Sequence, residues 1–376
     1  MMTQRNDEGS QLMMRYATNR FQRLILGSVT LLVLTGCGAE IRPDGPKRVV
    51  FTEPDGTQRV VEITPSSEVR QAAIDQLIEM TTDPSPQIRA NAIEALSPIT
   101  ERVEPIVALA INDPNEGVRS VAAMVAGKRN LATLAPSLRG LLQDESPFVR
   151  CAAMFALARF GEPVDITELS SLLLDHPNPR IRSQAAFVLG ELKEKSAIPL
   201  LQQAAMTRLP SASTIERKIF RLQIAEAMYK LGHNESIDTI RAALYPSRAD
   251  ELEATALAVQ IIGEVRDEGS IDQLIYLSDP ESDQPMPAEV RLGVASSLAQ
   301  MGHREGSFVA LDYIDSNNEL VRAQAAAVLG KTDGGENLGR LETILLNDQS
   351  DLTRVAAAGA IVDYTQRQLA RSGRND

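Results

Sequence analysis

The sequence predicts an all-α fold, an α-solenoid of about nine helical-hairpin repeats, preceded by a short N-terminal β-hairpin. One phrase, made of a turn, an arginine, paired alanines and Leu-Gly, recurs along the chain, for example at residues 178–190 and 320–330. Eight arginines and Thr255 align on this phrase at spacings of 30 to 39 residues, which is typical of stacked repeats. The composition agrees with short, tightly packed helices, because 43% of the residues are apolar, only 4% are aromatic and none is Trp.

The first forty residues predict an export signal and a lipid anchor. Arg20 and Arg23 precede an apolar run over residues 24–34, and Leu-Thr-Gly-Cys then ends at Cys37. The charged start and the short apolar run are typical of a signal peptide, and the run is too short for a comfortable transmembrane span. The last four residues resemble the lipobox of bacterial lipoproteins, in which the cysteine is acylated and becomes the N-terminus. An ordinary signal peptide and an uncleaved anchor are the alternatives.

The chain therefore divides into four predicted segments: a lipoprotein signal peptide at 1–36, a lipid-anchored linker with the hairpin at 37–64, the solenoid at 65–364, and a polar tail at 365–376. The hairpin has Val-rich strands near 48–53 and 58–63, joined through a Pro-Asp-Gly turn. Gly38 follows the cysteine and resembles the outer-membrane sorting pattern. We expect attachment to a membrane that faces the periplasm, with the outer membrane favoured.

The repeats themselves resemble a known family. The phrases at residues 83–96, 113–127, 144–157 and 176–190, together with "AIPLL" at 197–201, resemble the HEAT repeat in its short bacterial form, related to phycobilisome-lyase-type repeats. The resemblance covers roughly residues 66–364. It implies stacked helix pairs that display an extended, curved surface, with the second helix of each pair on the concave side.

A row of charged residues accompanies the repeats. In four repeats an aspartate lies six residues before the arginine, where it is well placed to N-cap the first helix. In HEAT proteins such residues resemble a ladder that links neighbouring repeats, and a row of ligand-binding arginines is the alternative. The predicted ladder residues are Asp83, Arg89, Asp113, Arg119, Asp144, Arg150, Arg182, Arg322, Asp348 and Arg354.

The second helices predict a binding surface. Aligned on their core Ile and Leu residues, they place Tyr276 and Tyr313 in the same slot of adjacent repeats, and large amphipathic side chains are favoured anchors at interfaces. Carboxylates close to this slot would favour a basic partner segment: Asp238, Asp272, Asp312 and Glu342. The alternative is that both tyrosines seal seams between helices. Two longer junctions, at 207–218 and 279–289, should lie on the same edge of the solenoid. They either contribute to a binding face or are surface insertions without a function.

The sequence nominates no catalytic group, no cofactor and no metal site. His176, His233 and His303 lie in different repeats, and the last two are separated by two repeats, on the order of 20 Å. HEAT-like deoxyhypusine hydroxylases carry His-Glu pairs for iron, and this chain has no such dipeptide. Cys151 lies in an Ala-rich helix and is interpreted as a small core residue.

These observations predict a membrane-anchored scaffold or adaptor in the cell envelope that binds a protein partner and is not an enzyme. The alternative is a HEAT-like enzyme, a lyase or a hydroxylase or oxidoreductase relative, that lacks recognisable metal ligands. Nucleic-acid binding is disfavoured, because the net charge is −12 and binding to phosphates requires a basic surface.

Overall fold

The N-terminal strands pair as the sequence predicts. The computed structural model describes residues 47–52, 58–63, 65–210, 212–303, 306–332 and 335–372. Strands β1 (Lys47–Thr52) and β2 (Gln58–Ile63) form an antiparallel pair whose register joins Lys47 to Ile63 and Thr52 to Gln58. The rest of the described chain is helices and turns, so the predicted all-α class is confirmed.

Eighteen α-helices occur within the described residues, and we number them in chain order. They are α1 (Pro65–Met80), α2 (Pro86–Leu96), α3 (Thr100–Ala110), α4 (Glu116–Arg129), α5 (Ala135–Gly140), α6 (Pro147–Arg159), α7 (Thr167–Leu174), α8 (Pro179–Leu192), α9 (Ile198–Met206), α10 (Thr214–Lys230), α11 (Ile237–Ala242), α12 (Leu252–Val265), α13 (Ile271–Ser278), α14 (Ala288–Gln300), α15 (Gly306–Tyr313), α16 (Glu319–Lys331), α17 (Gly335–Asn347) and α18 (Asp351–Ser372).

The even-numbered helices form a closed inner ring. Each packs against the even-numbered helices before and after it, and α18 packs against both α16 and α2. The middle turns of these helices are buried on nearly every side, as in α6, where residues 151–157 are all at most 2% exposed. The sequence predicted an extended, curved surface, and this prediction is wrong, because the solenoid closes on itself.

The odd-numbered helices cover the outside of the ring, and the two ends of the chain complete it. Helix α1 packs against both α18 and α2, so it fills the groove that the next outer helix of the solenoid would occupy. Arg70 on α1 donates a hydrogen bond from Nη2 to Oε1 of Gln366 on α18, at 3.0 Å. The ninth helix pair is therefore α18 with α1, and it joins the first segment of the solenoid to the last.

Small residues set the spacing of the inner helices. The glycine of the repeated Leu-Gly phrase faces the next inner helix, as Gly190 does on α8. A Cβ added at Gly190 would lie 2.8 Å from Cα of Ala227 on α10, and one added at Gly330 would lie 2.6 Å from Cα of Ala360. These contacts are shorter than van der Waals contacts allow, so the glycines let neighbouring helices pack closely.

Ion pairs join neighbouring repeats on the predicted ladder. Three pairs run from an arginine to the aspartate of the following repeat, with N–O distances of 2.7 to 2.9 Å: Arg89 with Asp113, Arg119 with Asp144, and Arg322 with Asp348. Arg119 also donates to the carbonyl oxygen of Asp113, six residues before it, at 2.9 Å. The hydrogen bond from Arg119 lowers the pKa of Asp144. Each such arginine therefore ties its own turn to the next repeat.

Other predicted ladder residues have different partners. Arg150 pairs with Glu168 at 2.7 Å, Arg182 donates to the carbonyl oxygen of His176 at 2.6 Å, and Arg354 pairs with Asp351 in its own helix. The carboxylate of Asp83 accepts from the backbone N–H of Ser85 at 2.7 Å.

The predicted N-cap role of the aspartates is also corrected. Asp113 accepts from the backbone N–H of Asn115 at 2.8 Å, and Asn115 itself caps α4 by accepting from Gly117 and Val118. The aspartate thus lies two residues before the N-cap, where Oδ1 orders the turn and both carboxylate oxygens accept from Arg89 of the preceding repeat.

Candidate functional site

Charged side chains near the C-terminal ends of the inner helices converge inside the ring. We call this set the axial cluster, and it comprises Glu94, Lys128, Glu191, Glu226, Lys230, Glu264, Lys331 and Asp363. Burial lowers the pKa of Lys128 on α4, and the carboxylates of Glu94 on α2 and Glu264 on α12 oppose that effect. Helices α4 and α12 are not neighbours in the ring, so these charges interact across its interior.

Lys230 is the centre of the best-ordered part of the axial cluster. Its Nζ lies 2.7 Å from Oε1 of Glu191, 2.7 Å from Oε1 of Glu226 and 3.5 Å from Oε2 of Glu264. Burial opposes the charged form, but the three carboxylates outweigh it and raise the pKa of Lys230 above its ordinary value. One cation therefore joins carboxylates from α8, α10 and α12, which are consecutive inner helices.

Lys331 and Asp363 form the opposite side of the axial cluster. Lys331 donates from Nζ to Oγ of Ser296 on α14, at 2.7 Å. Burial raises the pKa of Asp363, and the positive charges of Arg367, Lys331 and Arg129 partly offset that rise. This side joins α14, α16 and α18, so the cluster reaches the helix that closes the ring.

Glu94 differs from the other carboxylates of the axial cluster. The residue is 3% exposed, and neither of its carboxylate oxygens has a hydrogen-bond partner among the described residues. Burial raises the pKa of Glu94 to about 8, against an opposing charge on Lys128. Glu94 is therefore mostly protonated at neutral pH, and a carboxyl group that titrates near neutrality can both donate and accept a proton.

The remaining candidate groups for chemistry lie apart from one another. Nδ1 of His176 accepts from the backbone N–H of Asn178 at 3.1 Å, and Nδ1 of His233 lies 2.9 Å from Oγ of Ser236. No three side chains of His, Cys, Asp or Glu within the described ranges are placed to hold a metal ion together. Cys151 is fully buried, and burial raises its pKa to about 12, so its sulfur is a thiol and not a thiolate nucleophile.

The predicted partner-binding helices lie on the outside of the ring. The sequence placed the second helices on the concave side, and the structure contradicts this, because the first helices line the interior. Tyr276 on α13 is 46% exposed. Tyr313 on α15 is half-buried, accepts a hydrogen bond from Nη1 of Arg291 at 2.5 Å, and has that guanidinium over its ring at 5.3 Å.

The two tyrosines are not in the same slot, so that prediction is also wrong. The alignment of the second helices requires that Phe308, five residues before Tyr313, is a core residue. Phe308 is instead 52% exposed, whereas Val309 and Ala310 are fully buried. The buried stripe of α15 is thus shifted along the helix, and Tyr313 turns inward while Tyr276 turns outward. A shift of one position along a helix changes the direction of a side chain by about 100° around the helix axis. The alignment of the sequences did not detect this shift.

Four exposed apolar side chains nevertheless lie on the successive outer helices α13 and α15. We call them the outer apolar patch: Ile275, Tyr276, Phe308 and Leu311, which are 40 to 52% exposed. Among the predicted carboxylates, Asp272 is exposed on α13, and Asp312 on α15 lies 4.0 Å from Nη2 of Arg291. Asp238 is exposed on α11, and Glu342 is half-buried on α17.

The predicted lipid attachment site, Cys37, and the apolar run before it lie outside the described residues. Within the described ranges, none of the helices combines the length and the apolar character required to cross a membrane.

Comparison with known proteins gives relatives of this fold. Deoxyhypusine hydroxylase of Xenopus laevis is 32% identical over 109 residues, which are 28% of this chain and 34% of that protein. The chain thus spans about a third of the length of that curated relative. The structure of the complex of CpcE and CpcF of phycocyanin lyase from Nostoc matches with a TM-score of 0.38 and 17% identity, over 65% of this chain and 94% of that one. Human deoxyhypusine hydroxylase in complex with glycerol matches with a TM-score of 0.34 and 18% identity, over 80% of this chain and 98% of that one.

These findings correct one prediction from the sequence. The chain was predicted not to be an enzyme, and this prediction is contradicted, because the curated relative that it matches is an enzyme. The described residues do not fit a metal centre formed by His, Asp or Glu side chains.

The repeats themselves are matched by family models. The model described as HEAT repeats matches residues 103–175, 166–257 and 283–362, which together exceed half of the 376 residues. A second model, described as HEAT repeat, matches residues 73–103. Together with the ring of stacked helix pairs, these matches show that the chain belongs to the HEAT repeat family.

Proposed function

We propose that this HEAT-repeat protein binds a protein partner through the outer apolar patch. The observation that carries the proposal is the exposure of Ile275, Tyr276, Phe308 and Leu311 on two successive outer helices. Large exposed apolar side chains that lie on neighbouring elements of a surface mark sites of protein interaction. Tyr276 and Phe308 are aromatic, and aromatic side chains are favoured anchors at interfaces.

The charges around the patch favour a basic partner segment. Asp272 and Asp312 are exposed on the same two helices, and the whole chain has a net charge of −12. Carboxylates at the rim of an interface accelerate the encounter with a positively charged partner and disfavour acidic ones. We expect the partner segment to combine apolar anchors with Lys or Arg.

We also propose that the protein acts at a membrane surface of the cell envelope, facing the periplasm. The support is the sequence around Cys37, whose acyl chains would tether the ring at ~0.8 kcal/mol per buried CH₂. Cys37→Ser should abolish labelling with palmitate analogues and move the protein out of the detergent phase. Unchanged labelling in this variant would rule out Cys37 as the attachment site.

A photocrosslinking experiment tests the patch. A photoreactive phenylalanine analogue at position 276 of the full chain should capture one partner in native membranes. Tyr276→Ala with Phe308→Ala should lower the binding of that partner at least tenfold without changing the melting temperature. The matched control is Leu109→Ala with Leu346→Ala, which removes two exposed apolar side chains from other outer helices. Equal losses in both double variants would contradict the proposal.

We propose, as a second function, an enzymatic activity at the axial cluster. The observation that favours it is the similarity to an enzyme over 109 residues, which the scaffold hypothesis does not explain. The axial cluster offers proton transfer, because Glu94 is buried, lacks a hydrogen-bond partner among the described residues and has a pKa of about 8. No metal is invoked in this proposal.

A substrate screen tests this second function. Polar metabolites are tested for their effect on the melting temperature of wild type and of Glu94→Gln, and those that bind are followed by NMR for conversion. A compound that wild type converts and that Glu94→Gln binds without converting would support the activity. Conversion by both proteins at equal rates would exclude Glu94 from the reaction.

A further inference from the structure

The junction between α9 and α10 contains a cavity that the proposed functions do not use. It lies where α9 ends and α10 begins, and it encloses about 300 Å³. Among the described residues, its walls carry three arginines, Arg208, Arg217 and Arg221, and no carboxylate. On a chain with 50 acidic and 38 basic residues, three arginines on one cavity are a local excess of positive charge.

Arg221 is the arginine of the repeated phrase, but it has lost the ladder contacts. Helices α2, α4, α6, α8 and α16 begin three residues before their arginine, whereas α10 begins at Thr214, seven residues before Arg221. The extra turn replaces the loop whose carbonyl oxygen accepts from the arginine in other repeats, as the carbonyl of Asp113 does from Arg119. Arg221 is exposed, and no hydrogen bond or ion pair to another described residue holds its guanidinium.

The other two arginines complete a basic wall. Arg217 is fixed in place, because it donates to the carbonyl oxygen of Ala212 and, at 3.2 Å, to Oγ1 of Thr214. Arg208 is exposed and, like Arg221, has no partner among the described residues. The nearby carboxylate of Glu216 is already engaged, because it accepts from the backbone N–H of Ser213 at 2.8 Å in a capping box.

The remaining wall is apolar. Phe220 is 2% exposed and Leu209 is 6% exposed, so both form a fixed surface, and Met206 stands at the rim with 85% exposure. A cavity of this volume is at the lower limit of sites for small molecules. Guanidinium groups bind carboxylates through paired N–H donors, and the binding is strong where water is displaced.

We propose that this cavity binds a small organic carboxylate with a branched apolar chain, whose carboxylate contacts the arginines and whose chain packs on Leu209 and Phe220. Two sources supply this chemistry: a free short-chain acid, and the C-terminal carboxylate of a polypeptide that ends in an apolar residue.

The test uses the full chain in detergent, with 3-methylbutanoate as the probe and calorimetry or saturation-transfer NMR as the measurement. Two analogues should each bind at least tenfold more weakly than 3-methylbutanoate. They are 3-methylbutanamide, which has no charge, and acetate, which lacks the apolar chain. A dipeptide, N-acetyl-Gly-Leu, compared with its C-terminal amide, distinguishes the two sources. Tighter binding of the dipeptide than of the free acid would assign the site to polypeptide termini, and the reverse would assign it to free acids.

Variants decide whether this cavity is the site. Arg221→Met and Arg208→Met should each weaken 3-methylbutanoate at least tenfold, the loss expected for one charge-assisted hydrogen bond. Their melting temperatures should equal that of wild type, because both side chains are exposed and neither guanidinium has a hydrogen bond or ion pair to another described residue. The matched control is Arg340→Met, an exposed arginine on α17, which should bind as wild type does. Equal binding by all three variants, or binding of the amide as tight as that of the acid, would overturn the proposal.

Discussion

Glu94 shows how a single residue's environment can reverse its usual charge. The carboxyl group lies at the inner face of α2, where the ring excludes water and no described group hydrogen bonds to it. A buried carboxylate without hydrogen bonds is costly, so the group takes up a proton instead. By contrast, Asp144 on the ladder accepts from Arg119, and that hydrogen bond lowers its pKa. Two carboxylates in one protein thus respond in opposite directions because only one has a donor.

Glu94→Gln should change the pH dependence of stability. Because the pKa of Glu94 is raised from 4.5 to about 8, the native state keeps a proton between these values that the unfolded state releases. Wild type should therefore lose stability through this group as the pH rises from about 5 to about 8. The neutral amide should be nearly as stable as wild type at pH 5 and more stable at pH 9, by about 1–3 kcal/mol.

Urea unfolding at the two pH values provides the measurement. Glu101→Gln removes an exposed carboxylate from α3 and serves as the control, with no change in the difference between pH 5 and pH 9. Parallel pH curves for wild type and Glu94→Gln would contradict the assignment of a raised pKa to Glu94.

Helix packing in this protein depends on which face of a helix carries a small residue. Inner helices touch two inner neighbours and outer helices as well, so they are buried on nearly all sides and use Ala and Gly at the closest contacts. Outer helices bury a single face, as in α9, where Leu201 and Ala204 are buried and Gln203 is exposed. The two kinds of helix therefore differ in how much they tolerate a larger side chain.

Gly190→Ala and Gly339→Ala should have effects of opposite sign on stability. A Cβ at Gly190 would lie 2.8 Å from Cα of Ala227, so α8 and α10 would have to move apart, at a cost of about 1–3 kcal/mol. Gly339 lies on the exposed face of α17 with no atom within 4 Å of an added Cβ, and Ala there should stabilise by about 0.5–1 kcal/mol. Thermal unfolding measures both, and stabilisation of equal size by the two substitutions would show that the glycines matter only for helix propensity.

The closed ring changes what the whole molecule can present to a partner. An open solenoid offers a concave surface, but here the inner helices close on themselves around the axial cluster, so surfaces for a protein partner lie on the outside and at the junctions. Nine helix pairs complete a circle if each turns by roughly 40° relative to the one before it. The last pair forms from α18 and α1, so closure depends on both ends of the solenoid.

Crosslinking tests the closure directly. The side chains of Arg70 and Gln366 are in contact at 3.0 Å although they are 296 residues apart. The double variant Arg70→Cys with Gln366→Cys replaces both of them by cysteine. The native cysteines are removed from the same chain by Cys37→Ser and Cys151→Ala. A short bis-maleimide should join them within one chain, and the product should migrate faster on a denaturing gel. Gln203→Cys with Gln366→Cys, which lie on α9 and α18, is the control and should not react. Failure of the first pair to crosslink in the folded protein would show that the ring is open.

The sequence alone determined the repeat, its helix pairs and much of the ladder, because these depend on local patterns of apolar and capping residues that recur every 30 to 39 residues. It also located the junction that begins at residue 207, although α10 begins already at Thr214, and it placed Tyr276 on the second helix of its repeat but on the wrong side of the solenoid. These features need only the geometry of one helix or one turn, which the periodicity of the side chains specifies.

The tertiary structure alone decided the curvature, the side of the ring that each helix faces, and the axial cluster. Curvature is the sum of small rotations between repeats, and no single repeat encodes that sum. Glu94 and Glu264 appeared in the sequence as ordinary charged residues, because their burial arises only when helices far apart in the chain close around them. Arg221 matched the repeated phrase, but the extra turn at the start of α10 removed its ladder contacts and left its guanidinium at the cavity. The sequence thus specified the parts through local periodicity, whereas the closure of the ring determined which charges became buried, and the extra turn of α10 determined which arginine lost its ladder contacts.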